Sequence, residues 1–312
     1  MPQSFTQKLL ELDVTLDPNP TTNAAPFFTP DVTGGIENQN TVTIKGLRTS
    51  VRIQYAGLPA GTTAQVAVFG LTPSLMNQLS TLGIVFQAIP HNTLTIRAGD
   101  SSGLSTTFIG TIRAATADFN KAPDVPFSFE AIGGLVNQVI PATAFSSGGP
   151  VNVVSVMQNL AQKLGYGFEN NGVEATLPPS YFPGTLADQY KKVAIDANIR
   201  AELVPGSTGN LILAIWPKGG SRKGSIPLLS PSTGMIGYPS YSQVGLTAKT
   251  IFNPNIGLGG QVQIQSSLPR ATGVWTVLRI DHALDSLVPN GLWESTLSCF
   301  NPKYANLGIP VA

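Results

Sequence analysis

The sequence predicts a mainly β protein with an α+β insertion: two β-barrel or sandwich modules bracketing a small region of two helix-hairpin units. Three observations predict it. Apolar and polar residues alternate through residues 41 to 131 and again from 261 to 300, the period of strands with one buried face. At 151 to 164 and 185 to 197 the spacing changes to the three-and-four period of helices. Residues 230 to 267 then join a glycine-punctuated turn, a polar strand, an Asn-Pro turn and an alternating strand without a catalytic side chain, a construction motif rather than a reaction site. The expected divisions are 1–135, 136–225 and 226–312.

The opening residues, MPQSFTQKLLELDVTL, place Lys8, Glu11 and Asp13 around a single Leu pair, unlike an export signal with its basic start and unbroken apolar stretch. Residues 17 to 40 are rich in Pro, Asn, Thr and Gly without period and read as an extended arm that a partner orders. Strands follow: TVTIKG at 41 to 46, SVRIQYAG at 50 to 57 with Val51, Ile53 and Tyr55 on one face, and Gln65 to Phe69. A short helix comes next, capped by Thr72, with Pro73 at its first position, Leu75, Met76, Leu79 and Leu82 as its apolar stripe, and Gly83 as its stop. Strands resume at Thr93 to Ala98, Ser105 to Ala114 and Pro126 to Ala131.

In the middle region, Val151, Val154, Met157, Leu160, Ala161 and Leu164 mark a helix that Gly165 ends. A hairpin is expected to turn at Asn170, Asn171 and Gly172. The plan repeats, with Thr185 and Asp188 as a capping pair, Leu186, Tyr190, Val193 and Ala197 on one helix face, and Ile199 to Val204 pairing with Asn210 to Trp216. PKGGSRKGS at 217 to 225 reads as a linker whose Lys218, Arg222 and Lys223 are solvated. In the last region Val262 and Ile264 alternate with glutamines, and Val274 to Ile280 and Leu292 to Phe300 supply two more strands.

Composition narrows the function. Charged residues are 11% of the 312 and the net charge is +1, against roughly 25% charged in ordinary soluble domains. Such a surface suits large interfaces with partners; a monomer covered in Ser, Thr, Asn and Gln is the alternative. Without a basic excess there is little to neutralise phosphates, which disfavours nucleic-acid binding. One cysteine, Cys299, leaves no disulfide framework and fits a reducing cytoplasm. No window reaches the roughly 20 apolar residues of a spanning helix, so membrane insertion is not expected.

Candidate reaction chemistry is sparse. With only His91 and His282, a multi-histidine zinc site is disfavoured. Asp281, His282 and Asp285 could hold a metal or orient a base, but read better as a polar hairpin loop. Cys299 shares a strand face with Trp293, Ser295 and Leu297, as a buried structural thiol would. GLGG at 257 to 260 precedes a strand and lacks its last glycine, unlike a dinucleotide loop. Glu130 and Glu174 could meet in space as paired carboxylates, though surface roles fit them better. Phe27 and Phe28 lie in the arm, and Trp216 ends a core strand. No residue is nominated as catalytic, cofactor-binding or metal-binding.

The order of parts resembles the baseplate hub proteins of contractile-tailed bacteriophages. The resemblance is carried by LLSPSTGMIGYPSYSQVGLTAKTIFNPNIGLGGQVQIQSS at 228 to 267, VWTVLRIDHALDSLVPNGLWESTLSC at 274 to 299 and AQVAVFGLTPSLMNQL at 64 to 79. It implies a structural virion protein: a homotrimer of chains with two tube-like barrels each, joining the hexameric tail tube to the central spike. It also implies contacts with other baseplate proteins, DNA passing without specific binding, and a place in the tail baseplate after assembly in the host cytoplasm. A cell-wall-degrading tail enzyme is the alternative from another class, and the hub of a phage-derived contractile injection system is a third.

Overall fold

The computed structural model describes residues 6–16, 35–38, 40–58, 60–80, 92–139, 141–206, 209–242 and 245–301. The N-terminal part contains β1 (Leu9–Thr15), β2 (Gly35–Asn38), β3 (Thr41–Lys45), β4 (Thr49–Tyr55), β5 (Thr62–Phe69), α1 (Pro73–Leu79), β6 (Thr93–Asp100), β7 (Gly103–Ala117) and β8 (Pro126–Ile132). The middle part contains α2 (Val136–Val139), β9 (Phe145–Ser146), β10 (Val151–Asn152), α3 (Val153–Leu164), β11 (Gly167–Asn170), β12 (Thr176–Leu177), β13 (Tyr181–Phe182), α4 (Leu186–Asp196), β14 (Ile199–Pro205) and β15 (Leu211–Pro217). The C-terminal part contains β16 (Leu228–Leu229), β17 (Met235–Ser242), β18 (Gly245–Ile251), β19 (Gln261–Ile264), β20 (Gly273–Ser286) and β21 (Trp293–Phe300). The protein is mainly β, as the alternation predicts.

The N- and C-terminal strands do not form separate sheets. They make one 14-stranded sheet, in which β17, β18, β21 and β20 run into β4, β5, β8, β7, β6, β1, β3 and β2. The join is an antiparallel pairing of β20 with β4, from Ile280 opposite Tyr55 to Ser286 opposite Thr49. Beneath it lies one continuous apolar core drawn from both parts, including Val51, Ile53, Phe127, Phe129, Val277, Leu284 and Leu297. The middle part has its own core between α3, α4 and the β14–β15 hairpin.

Several elements depart from the sequence reading. β1 forms from residues not expected to be a strand: Leu10, Leu12 and Val14 are buried, and the strand lies between β3 and β6. Its Glu11 and Asp13 fall on the outward face, where Arg97 pairs with both, so the charges do not oppose burial. The last residues of the expected arm form β2 on the edge of β3. Phe27 and Phe28 lie outside the described residues. Helix α1 is capped by Thr72, whose hydroxyl accepts from the Leu75 N–H at 3.3 Å. It ends at Ser80, which turns extended (φ −64, ψ 131); Leu82 and Gly83 are outside the described residues.

In α3 the buried stripe is Val153, Val156, Met157, Leu160, Ala161 and Leu164, because Asn152 is the cap and Val151 belongs to β10. Gly165 closes the helix in the left-handed region (φ 71), as expected of a glycine there. The first helix-hairpin unit is corrected: β11 pairs in parallel with β15, and the chain after Gly172 leads to β12 on β10. Asn171 explains the departure, since its backbone N–H donates to Ile215 O at 2.8 Å and its side chain to the same oxygen at 3.2 Å. The turn is therefore anchored to β15 rather than folded back on β11. The second unit forms as expected, with a complete capping box of Thr185 and Asp188 and β14 antiparallel to β15.

Candidate functional site

Asp281, His282 and Asp285 stand within β20, not in a loop, so the expected hairpin turn is corrected. Side chains alternate faces along a strand, and the three divide accordingly. His282 points into the core, 5% exposed, its Nδ1 2.7 Å from Ser295 Oγ and its ring edge-on to Tyr55 and Phe252 at 5.9 and 5.3 Å between centroids. Burial pushes its pKa down to about 4, despite Asp281, so the ring is neutral near pH 7. Asp281 and Asp285 face outward.

The outward face is a ladder of ion pairs crossing seven strands. On β18 and β21, Lys249 meets Glu294 at 2.7 Å. On β20, Arg279 holds Asp281 through Nε at 2.9 Å and Nη2 at 3.1 Å, and Gln54 of β4 donates to the same carboxylate at 3.0 Å. Across the join, Arg52 of β4 pairs with Asp285 of β20 at 2.8 and 3.3 Å. Burial alone would raise the Asp285 carboxyl, but the Arg52 guanidinium and the Leu292 and Ser50 hydrogen bonds outweigh it and hold it below the ordinary range. On β7 and β8, Arg113 pairs with Glu130. Glu130 is thus occupied in the sheet, while Glu174 sits exposed before β12; the structure gives them no common site.

A cavity of about 290 Å³ opens where the three parts meet, lined among others by Tyr55, Val204, Lys223, Phe252, Ile256 and His282. Around it the expected linker is pinned at Arg222, while the Lys218 and Lys223 side chains are exposed, as expected. Arg222 forms a two-point pair with Glu169 at 3.0 and 2.7 Å and donates its backbone N–H to Gly259 O at 2.7 Å. The Lys223 N–H donates to Asn171 Oδ1 at 2.8 Å. Burial would push Glu169 up, yet Arg222 and Asn171 hold its pKa down. The GLGG run has a packing role: a Cβ at Gly259 (φ +75) would stand 2.5 Å from Trp216 Cζ2. Only glycine seats that buried indole.

Glu202 was missed by sequence reasoning. It is 5% exposed, and its Oε1 accepts the Leu58 N–H at 2.7 Å, fastening β14 to the turn between β4 and β5. Burial pushes its pKa up to about 7, partly offset by Leu58, Arg200 and Lys191. No local signal marks it, because it sits in an ordinary strand of the hairpin. Cys299 is buried and its thiol pushed up to about 12 by burial, as a structural thiol should be. His91 is outside the described residues.

Solved tail proteins share this architecture. A 43 kDa tail protein of prophage MuSo2 from Shewanella oneidensis aligns at TM-score 0.56 and 9% identity, over 95% of this chain and 98% of that one. A tail protein from Neisseria meningitidis MC58 aligns at 0.58 and 10%, over 93% and 96%. The E. coli c3393 protein, a type VI secretion component with structural similarity to the T4 bacteriophage tail proteins gp27 and gp5, aligns at 0.55 and 9%, over 81% and 73%. Among curated protein sequences none matches. The fold is that of the phage tail proteins. The chain itself belongs to the Baseplate hub gp41 family, whose match covers residues 31–288. It is a structural component of the tail baseplate, built to assemble with other tail proteins.

Proposed function

We propose that this chain forms a homotrimeric hub that connects the hexameric tail tube to the central spike and lines the channel for genome ejection. The observation that supports it most is the pairing of β4 with β20, which lets one chain carry two β modules side by side in a single wall. Three chains would then offer six modules to a sixfold tube, through heterologous contacts that close. Residues 1–135 and 226–312 act as the tube-like modules and 136–225 as the body packed against them. At one end of the wall β17 pairs only with β18 among the described strands and exposes Ile236, Tyr238 and Tyr241. An edge of that kind suits strand addition by a neighbour. The reading assigns no catalytic, cofactor-binding or metal-binding residue, and places assembly in the host cytoplasm.

An image of the purified oligomer at low resolution tests it. A threefold ring with a central hole as wide as duplex DNA is expected. A compact particle without a hole, or a monomer that clears a cell-wall zymogram, would sink the reading. The likeness to c3393 favours one second reading, the hub of a phage-derived contractile injection system. Particles that contain this chain but no genome would select it.

A further inference from the structure

The turn between β4 and β5 is where the wall enters the middle part. The side chain of Leu58 packs against the core between α3 and α4, while its backbone N–H donates to Glu202 Oε1 on β14 at 2.7 Å. Gly57, at φ +73, permits that approach, because a Cβ there would stand 3.1 Å from the same oxygen. The turn closes on itself through the Ala56 N–H to Gly61 O at 3.1 Å and the Gly61 N–H to Gly57 O at 2.9 Å. It brings no titratable side chain to the junction. β7 also packs against β14, and its one charged residue, Arg113, is engaged by Glu130. On β15, Ala214 stands opposite Glu202. From the middle part, Arg200 of β14 and Lys191 of α4 favour the charged carboxylate, and the buried Tyr190 hydroxyl feels it together with Tyr166 and Asp188. Among the described residues no cation forms an ion pair with Glu202; the Leu58 N–H is its hydrogen-bond partner.

We infer that Glu202 and the β4–β5 turn form a proton-operated latch, in which the neutral carboxyl holds the middle part closed on the wall and its ionisation opens that junction while the rest of the chain stays folded. The latch goes beyond the hub reading and does not depend on it, since it lies within one chain. A carboxylate ionised in place would keep one backbone N–H and no paired cation, far less than water offers it. Opening the junction hydrates the charge. Burial already holds the group up at about 7, so the change falls near neutrality. Its sign is fixed: closure is favoured below that pH and weakened above it. The strap keeps the parts tethered meanwhile. Its Arg222 N–H to Gly259 O bond, 2.7 Å, joins two main-chain groups, and the Trp216 indole is seated on Gly259; neither contact titrates.

Hydrogen exchange of the full chain, read by mass spectrometry at pH 5.5 and pH 8.0 and corrected for the intrinsic pH dependence of amide exchange, tests the latch. In the wild type, protection of the β4–β5 turn and of β14 is expected to fall about tenfold between the two pH values, while β8 and α3 keep theirs. Glu202→Gln, which retains an oxygen for the Leu58 N–H and cannot ionise, should stay protected at both. Glu202→Ala, which removes the acceptor, should be open at both. A wild type equally protected at the two pH values overturns the inference, as does a Gln variant that still loses protection at pH 8.0. A loss shared equally by β8 and α3 also overturns it, because that is unfolding of the whole chain rather than release of one junction. Should either variant fail to fold, the wild-type comparison still decides, through the pH dependence and through where along the chain protection is lost.

Discussion

At the scale of single residues, Glu202 couples the stability of the fold to pH. Its carboxyl is held near pKa 7 by burial, well above the ordinary value of about 4.3, so the folded chain binds this proton more tightly than the unfolded one. The sign follows: the stability it contributes is complete below about pH 4 and is lost as pH rises through about 7. Glu202→Gln keeps an oxygen for the Leu58 N–H but cannot ionise. It is expected to flatten the fall in melting temperature between pH 5 and 8, and to exceed wild type at pH 8 by roughly 2–3 kcal/mol. A pH slope that survives the substitution would assign the effect to another group. His282 works in the opposite direction, because its pKa is pushed down by burial and protonation below about pH 6 opposes the fold.

At the scale of elements, the segment between β15 and β16 decides how firmly the middle part is held. Arg222 reaches Glu169 from a side chain that is 19% exposed, so its two hydrogen bonds are only partly screened. Arg222→Ala is expected to cost about 1–2 kcal/mol, below the full value for charged hydrogen bonds because the pair is part-exposed. It should also speed tryptic cutting at Lys218 and Lys223; an unchanged cutting rate would mean that the Asn171 and Gly259 contacts hold the strap alone. Elements whose signals are local were legible in the sequence. The alternation of Val51, Ile53 and Tyr55 marks β4, and Thr185 with Asp188 marks the start of α4. Elements defined by distant partners were not. β1 was hidden because its strand period is obscured by Glu11 and Asp13, whose cation, Arg97, is far along the chain. β11 looked like half of a hairpin because nothing near Asn171 announces Ile215 as its acceptor. The Asp281 and Asp285 carboxylates suggested a loop for the same reason: Arg52, which lets Asp285 sit in a strand, belongs to another region.

At the scale of the whole molecule, the two β parts share one core and should unfold as one. Val51 and Leu284 oppose each other at the join with no exposed surface. Val51→Asp buries a charge there without a partner and is expected to cost more than about 4 kcal/mol. Hydrogen exchange should then rise together in β4, β5, β20 and β21. Protection lost only from the N-terminal strands would show that the modules are energetically separate. The sequence reading treats the two β parts as separate modules and gives no sign of the β4–β20 pairing, since strand pairing across such a separation leaves no local trace. That fusion also bears on synthesis. The partner of β4 emerges from the ribosome only after the entire middle part has been made, so a nascent chain must carry an open, apolar-backed strand edge for most of its translation. Contacts so distant slow folding and prolong exposure to aggregation. A chain that ended before β20 would keep β4, β5, β8, β7, β6, β1 and β3 paired among themselves but would leave the β4 edge open where β20 belongs.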